Sequence, residues 1–261
     1  MIPYKKYALL AQTFWTLGAC LLAQDSTNHQ FVFGDGVTVR GGAGYLAVRD
    51  EFISSEKYAG TIGLFAATWS RLHETYGYRL ACQYLFTSNL KNNNVSVDIT
   101  QFSMNLDFLY PIKVVSLLGK ESYLFLGPSA ELFVHFRRQN IAGSGESILN
   151  AYSVASLISA RMRSEVFYPI YPDFQLNGSI QLSVLSLGGR LVDPRKSDDS
   201  MLKFLTPFSG LYANTEIGMS YHITRRLVAA VAYRLEITRI SSWDYFITGG
   251  DFIIIGVSYN L

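Results

Sequence analysis

Glu131 and His135 are the closest this sequence comes to a pair that could move a proton. On an extended strand, residues four apart share a face, and a carboxylate beside an imidazole can orient a general base. Neither an activated nucleophile nor a third orienting group accompanies them. Gly-x-Ser-x-Gly is absent, no His, Cys, Asp or Glu cluster has metal-ligand spacing, and no cofactor or metal is expected. His29, His73 and His222 fall in a linker, a turn and a strand end. The pair therefore reads as one node of a buried hydrogen-bond network. A larger chemical resource is the set of charges Arg79, Arg137, Arg161, Arg163 and Arg234 with Asp107, Glu131, Glu165, Glu216 and Glu236. Arginine offers a planar fork of donors, a carboxylate up to four acceptor sites. Gathered in one interior, these groups would neutralise each other.

The elements that would gather them are strands. Charged residues are 16% of the chain, against roughly 25% in ordinary soluble domains, and there are 17 Tyr and 17 Phe. Such a chain is unusually apolar inside or keeps part of its outer surface in lipid. A net charge of +2 is too small to point to nucleic acid. Lys5 and Lys6, the apolar run Tyr7–Leu22 and Ala23 before Gln24 form an export signal over residues 1–23. That run is short of the ~20 apolar residues of a spanning helix. Cys20, in Leu17-Gly-Ala-Cys20, is a second candidate processing point as a lipidated cysteine, which would leave Cys82 as the other thiol. Residues 24–36 read as a periplasmic segment.

After residue 23 nothing approaches the length of a transmembrane helix, so a membrane protein of this sequence must be a closed barrel, the one other way to satisfy every backbone group in lipid. Period-2 alternation supports it. Ile253, Ile255, Val257, Tyr259 and Leu261 oppose Gly256, Ser258 and Asn260; Leu227, Ala229, Val231, Tyr233, Leu235 and Ile237 oppose Ala230, Arg234 and Glu236. Leu211, Ala213, Ile217, Met219 and Tyr221 oppose Asn214, Glu216 and Ser220. The same rule holds in segments near Gln175–Val184, Ile158–Val166, Leu124–Arg137, Phe102–Tyr110 and Tyr78–Thr87. Near Gly60–Ser70 and Val37–Val48 the sequence is Gly/Ala-rich and assigns no face. The expected fold is all-β: a closed antiparallel transmembrane barrel of about ten strands, meander topology, over residues 37–261.

An even count puts both chain ends on one side, the periplasm, with short turns there and longer loops opposite. Turns are expected near Arg71–Glu74, Pro111–Lys120, Tyr168–Asp173 and Thr224–Arg226. Loops are expected near Asp50–Lys57, Ser88–Asn94, Arg138–Ser147, Leu187–Pro207 and Ser241–Asp251. Trp69, Tyr76, Tyr110, Tyr123, Tyr168, Tyr171, Tyr221 and Tyr259 gather at turn-side strand ends, where amphipathic rings meet headgroups.

The final run Asp251-Phe-Ile-Ile-Ile-Gly-Val-Ser-Tyr-Asn-Leu261 resembles the C-terminal strand signal of outer-membrane proteins, though ending in Leu261 where Phe is usual. That resemblance implies Ile255, Val257, Tyr259 and Leu261 as an assembly signal and the barrel-assembly machinery as a partner. Gly41-Gly-Ala-Gly-Tyr-Leu-Ala-Val-Arg-Asp50 and Phe125-Leu-Gly-Pro-Ser-Ala-Glu131 resemble small outer-membrane barrels of the Bacteroidetes type, a likeness that is structural and implies no activity. Ten-stranded outer-membrane barrels include the omptin proteases, which use an Asp-x-His element; no histidine here has Asp two positions before it.

Three functions follow as expectations. The first is a structural or binding barrel with a narrow, charge-paired lumen, or one passing a small polar solute, since barrels of about eight strands are filled by side chains. The second is an outer-membrane enzyme at the loop end of the lumen, around Glu131 and His135. The third is a soluble secreted barrel binding protein. Expected partners are outer-membrane lipid and a small polar solute or surface ligand, and no nucleic acid.

Overall fold

Strands long enough to cross a bilayer at a tilt need ten or so residues each, and the chain supplies them in sequence order. The computed structural model describes residues 34–51, 54–92, 95–117, 120–141, 152–190, 202–242 and 245–261. The export signal, Cys20 and His29 lie outside these residues, as do positions 191–201 of the expected Leu187–Pro207 loop. The strands are β1 (Asp35–Asp50), β2 (Ser54–Leu72), β3 (Gly77–Asn92), β4 (Val95–Leu117), β5 (Lys120–Ile141), β6 (Tyr152–Pro169), β7 (Phe174–Arg190), β8 (Leu202–Leu205), β9 (Gly210–His222), β10 (Leu227–Ile240) and β11 (Phe246–Asn260).

Except for β8 and β9, sequence-adjacent strands pair antiparallel, and β1 pairs with β11 from Gly36↔Asn260 to Asp50↔Phe246, closing the sheet. β8 and β9 act as a single stave. Both pair with β7, β8 opposite Ser186–Gly189 and β9 opposite Phe174–Leu182. Between them the chain makes a tight excursion in which Gly210 N–H donates to the Thr206 carbonyl at 2.7 Å and Thr206 N–H to Ser209 Oγ at 2.9 Å. The architecture is therefore a closed antiparallel ten-stave barrel in meander order. Both ends of the barrel chain lie at one rim, where Leu261 N–H donates to the Asp35 carbonyl. The first strand begins at Asp35, two residues ahead of the expected boundary.

Three connections differ from expectation. The stretch Pro111–Lys120, read as a long turn, is strand almost throughout: Pro111 pairs with Phe125 and Leu117 with Lys120. Pro111 lies beyond the end of the β3–β4 ladder at Leu109, where β4 has an unpaired edge of the kind that admits proline; the β4–β5 ladder itself lacks pairs at 108 and 109. There the backbones approach so closely that a Cβ on Gly127 would overlap the Phe108 carbonyl. Only glycine fits. At the other rim, β3 runs to Asn92 and β11 starts at Phe246, so the Ser88–Asn94 and Ser241–Asp251 loops are shorter than the sequence suggests.

Alternation sorts the side chains. Outward positions carry large apolar groups left open: Phe65 53%, Phe108 50%, Ile158 59%, Ile217 60% and Ile255 65% exposed. Inward positions carry the charges, and β1 and β2 acquire faces too, with Arg40, Leu46, Val48 and Asp50 inward and Val37, Val39 and Tyr45 outward. Among the described residues no helix is long and apolar enough to cross a membrane.

Candidate functional site: the lumen

The lumen changes character along its axis. At the rim holding the chain ends it opens as a vestibule of about 180 Å³, walled by the inward positions of β1, β7, β9 and β11. Thr38, Asn177, Ser179, Ser220 and Ser258 supply hydroxyl and amide groups, and Phe125 and Phe167 an aromatic corner whose rings meet edge-on at 5.6 Å. Thr38 and Ser258 hydroxyls lie 2.8 Å apart, and Asn177 Nδ2 donates to Ser220 Oγ at 3.2 Å. His222, near the mouth, also borders it.

The vestibule ends at two ion pairs. Arg40 Nη1 donates to Glu216 Oε1 at 2.7 Å, and Arg79 Nη1 to Glu165 Oε2 at 2.7 Å. Arg40, Arg79 and Glu216 also border a second cavity of about 60 Å³ deeper in, so these pairs form the partition between the two spaces.

Beyond the partition the charges interlock. Glu216 is gripped from its other side by Arg234, whose Nε and Nη2 donate to Oε2 at 2.9 and 2.6 Å, and Arg234 also reaches Gln83. Arg163 lies 3.6 Å from Asp107 and 3.5 Å from Glu165. Ser129 donates to Asp107 at 2.5 Å and receives from Gln181 at 2.8 Å. Arg161 pairs with Glu131 and lies with its guanidinium 3.3 Å from the centroid of the Tyr212 ring. Gln83 and Gln101 donate to Glu236 at 3.4 and 3.1 Å. Arg234, Glu216 and Arg79 follow the rule that a buried charge is tolerated when paired and hydrogen-bonded; Arg161 and Glu131 are paired, but their buried side-chain N and O atoms make no hydrogen bond.

Toward the far rim the interior turns apolar. Val48, Tyr58, Leu85, Leu90, Ile99, Phe133, Leu157, Leu205, Ile240 and Phe246 are each under 5% exposed and pack as one cluster across the barrel. Arg137 is enclosed among them, 4.6 Å from the centroid of the Tyr58 ring and 3.8 Å from Asp50, both charges with fully covered side chains.

Every charged residue expected in the lumen points inward: Arg79, Asp107, Glu131, Arg137, Arg161, Arg163, Glu165, Glu216, Arg234 and Glu236. Arg40 and Asp50 join them, raising the set to six arginines and six carboxylates. Both were missed because β1 is rich in glycine. Tyr45, flanked by the even-numbered Gly42, Gly44, Leu46 and Val48, was the available signal for its faces. The expected Glu131–His135 element sits differently from a catalytic pair. Glu131 engages Arg161, while His135 Nδ1 lies 3.4 Å from Gln101 Oε1 and its ring meets Phe246 edge-on at 5.1 Å. Glu131 is 2% exposed and His135 fully buried. Cys82 lies on the outward face of β3 and is a free thiol. Among the described residues no group of three or more His, Cys, Asp or Glu could hold a metal ion.

No protein-family model matches the sequence, and no curated protein does. Solved structures are similar in backbone. The outer-membrane protease OmpT from Escherichia coli matches with a TM-score of 0.53 at 11% identity, over 91% of this chain and 100% of that one. The translocator domain of the autotransporter NalP from Neisseria meningitidis matches with a TM-score of 0.45 at 10% identity, over 98% and 96%. The OmpT likeness is one of fold: the chain has the closed antiparallel barrel of outer-membrane proteins.

Proposed function

We propose that this protein is an integral outer-membrane barrel with both termini in the periplasm, its lumen shut to diffusion, serving a structural and binding role. The observation that carries the reading is the partition of side chains. Large apolar groups stand open on the outward face of every long strand, while paired charges fill the inside. In water the open apolar face is costly; in a bilayer it is the stable one. The export signal over residues 1–23 and the C-terminal run ending at Leu261 support delivery through the assembly machinery. The runs Gly41–Asp50 and Phe125–Glu131 support a place among small barrels of the Bacteroidetes type.

Two features support closure: the ion-paired middle and the apolar layer beyond it. Together they leave the vestibule as a blind pocket on the periplasmic side. Its hydroxyls, amides and aromatic corner suit a small polar solute, which would bind there without crossing.

Reconstitution tests both parts. Folded protein mixed with phospholipid vesicles should float with them through a density gradient and resist extraction at alkaline pH. Vesicles carrying it should swell no faster in small sugars than empty ones. A protein left at the bottom of the gradient, folded and monodisperse without detergent, contradicts the membrane reading; rapid swelling contradicts closure.

A further inference from the structure

One stretch of the outer wall departs from the apolar rule. On β11 the outward positions run Tyr259, Val257, Ile255 and Ile253 from the terminal rim, then Asp251, Gly249 and Ile247. Asp251 is a carboxylate on the lipid side. It lies opposite Tyr45 of β1 and Leu235 of β10, and Tyr233 OH donates to its Oδ2 at 3.4 Å. Four residues further along, roughly 13 Å of strand, Ile247 is flanked by Arg49 on one side and Arg239 on the other. Both guanidiniums approach the Tyr245 ring, at 5.7 and 5.5 Å from its centroid.

Between the arginines and the carboxylate the wall is bare. Gly249 pairs with Ala47 and Ile237, and a Cβ placed on it would meet nothing closer than 3.8 Å. The result is a shallow notch, bounded toward the rim by two cations and toward the membrane interior by an anion. A charged group facing hydrocarbon is unfavourable, by an amount that grows with depth, and polar groups held in a membrane mark functional positions.

We propose that this wall, on β10, β11 and β1, binds one phosphorylated glycolipid of the outer leaflet. The proposal rests on the membrane reading above. Charge complementarity selects the occupant: phosphate oxygens are held by Arg49 and Arg239, whose planar forks suit them. Part of an acyl chain lies over Gly249 and Ala47, and an amide or hydroxyl hydrogen near the chain's root donates to Asp251. Glu51, 2.7 Å from Arg49, already competes for that guanidinium. Exposed pairs of this kind contribute little, so a phosphate displaces it.

The experiment is native mass spectrometry of the folded protein released from detergent micelles doped in turn with bis-phosphorylated lipid A, dephosphorylated lipid A and phosphatidylglycerol. One bis-phosphorylated lipid A per protein should be retained in preference to the other two. The double variant Arg49→Gln/Arg239→Gln should weaken retention roughly tenfold or more, the effect of losing charge-assisted hydrogen bonds. Gly249→Leu, which the surrounding space admits, should block retention by filling the notch. Heat-modifiable gel mobility reports that each variant is folded. Equal retention of phosphatidylglycerol, or variants that bind as the parent does, overturns the glycolipid site while leaving the membrane reading intact. Parent protein that fails to float with vesicles overturns both.

Discussion

Arg161 is the most exacting side chain in the lumen. It is 1% exposed, pairs with Glu131 and lies against Tyr212. Removing one member of a buried pair strands the other, at a cost of about 3–5 kcal/mol, whereas replacing both by apolar groups of similar volume is often neutral. Arg161→Met alone should therefore lower stability by about that amount in urea titrations of the lipid-folded protein. The double variant Arg161→Met/Glu131→Leu should recover most of the loss. A single variant as stable as the parent would show that the pair does not hold the lumen. At this scale much of the site was legible. The direction of Arg161, Glu131, Arg234 and Glu216 followed from alternation within their own strands. Arg40 and Asp50 escaped because glycine interrupts both faces of their strand: Gly41 stands outward, and inward Gly42 and Gly44 are bare so that Ile254 and Phe252 of β11 can fill the space beside them. That reason is tertiary, and locally Tyr45 alone marks a face of β1.

Among the elements, β11 makes the sharpest statement about faces. Ile255 is 65% exposed on the outward side, opposite Val231 and Gly41, and Ser258 faces the vestibule. Ile255→Arg should cost about 2–4 kcal/mol near the bilayer midplane. Ser258→Arg, entering a wet polar space, should change stability by less than about 1 kcal/mol. Unfolding of the two variants in the same vesicles checks the contrast, and equal losses would mean that the faces are misassigned. The strand count was legible for the same reason the faces were: a period of two survives wherever one side is greasy and the other polar. It fails where both sides are apolar or the ladder is irregular. Pro111 looked like a turn because proline forfeits a ladder hydrogen bond, yet it sits past the last β3–β4 pair, at Leu109, where β4 has one free edge. β8 and β9 looked like loop and strand because a four-residue excursion, Thr206–Ser209, divides a stave that β7 pairs with as a whole.

The closure proposed for the molecule as a whole rests on its least legible feature. The apolar layer across the lumen comes from strand ends such as Leu90, Val97 and Phe246, in or beside stretches whose sequence reads as loop, and assembles only when ten staves bring them to one level. Thinning that layer should open a path. Phe133 and Phe246 are both buried in it, and each truncation to alanine should cost about 3–5 kcal/mol. The double variant Phe133→Ala/Phe246→Ala, if it still folds by gel mobility, should admit water to the ion-paired layer and show brief, small current steps that the parent lacks. Planar-bilayer recording of the parent is the most direct test of a shut outer-membrane barrel. With protein shown to be inserted, hours of recording at moderate voltage should give a flat baseline. Regular, long-lived current steps that scale with the amount of protein inserted would contradict the account.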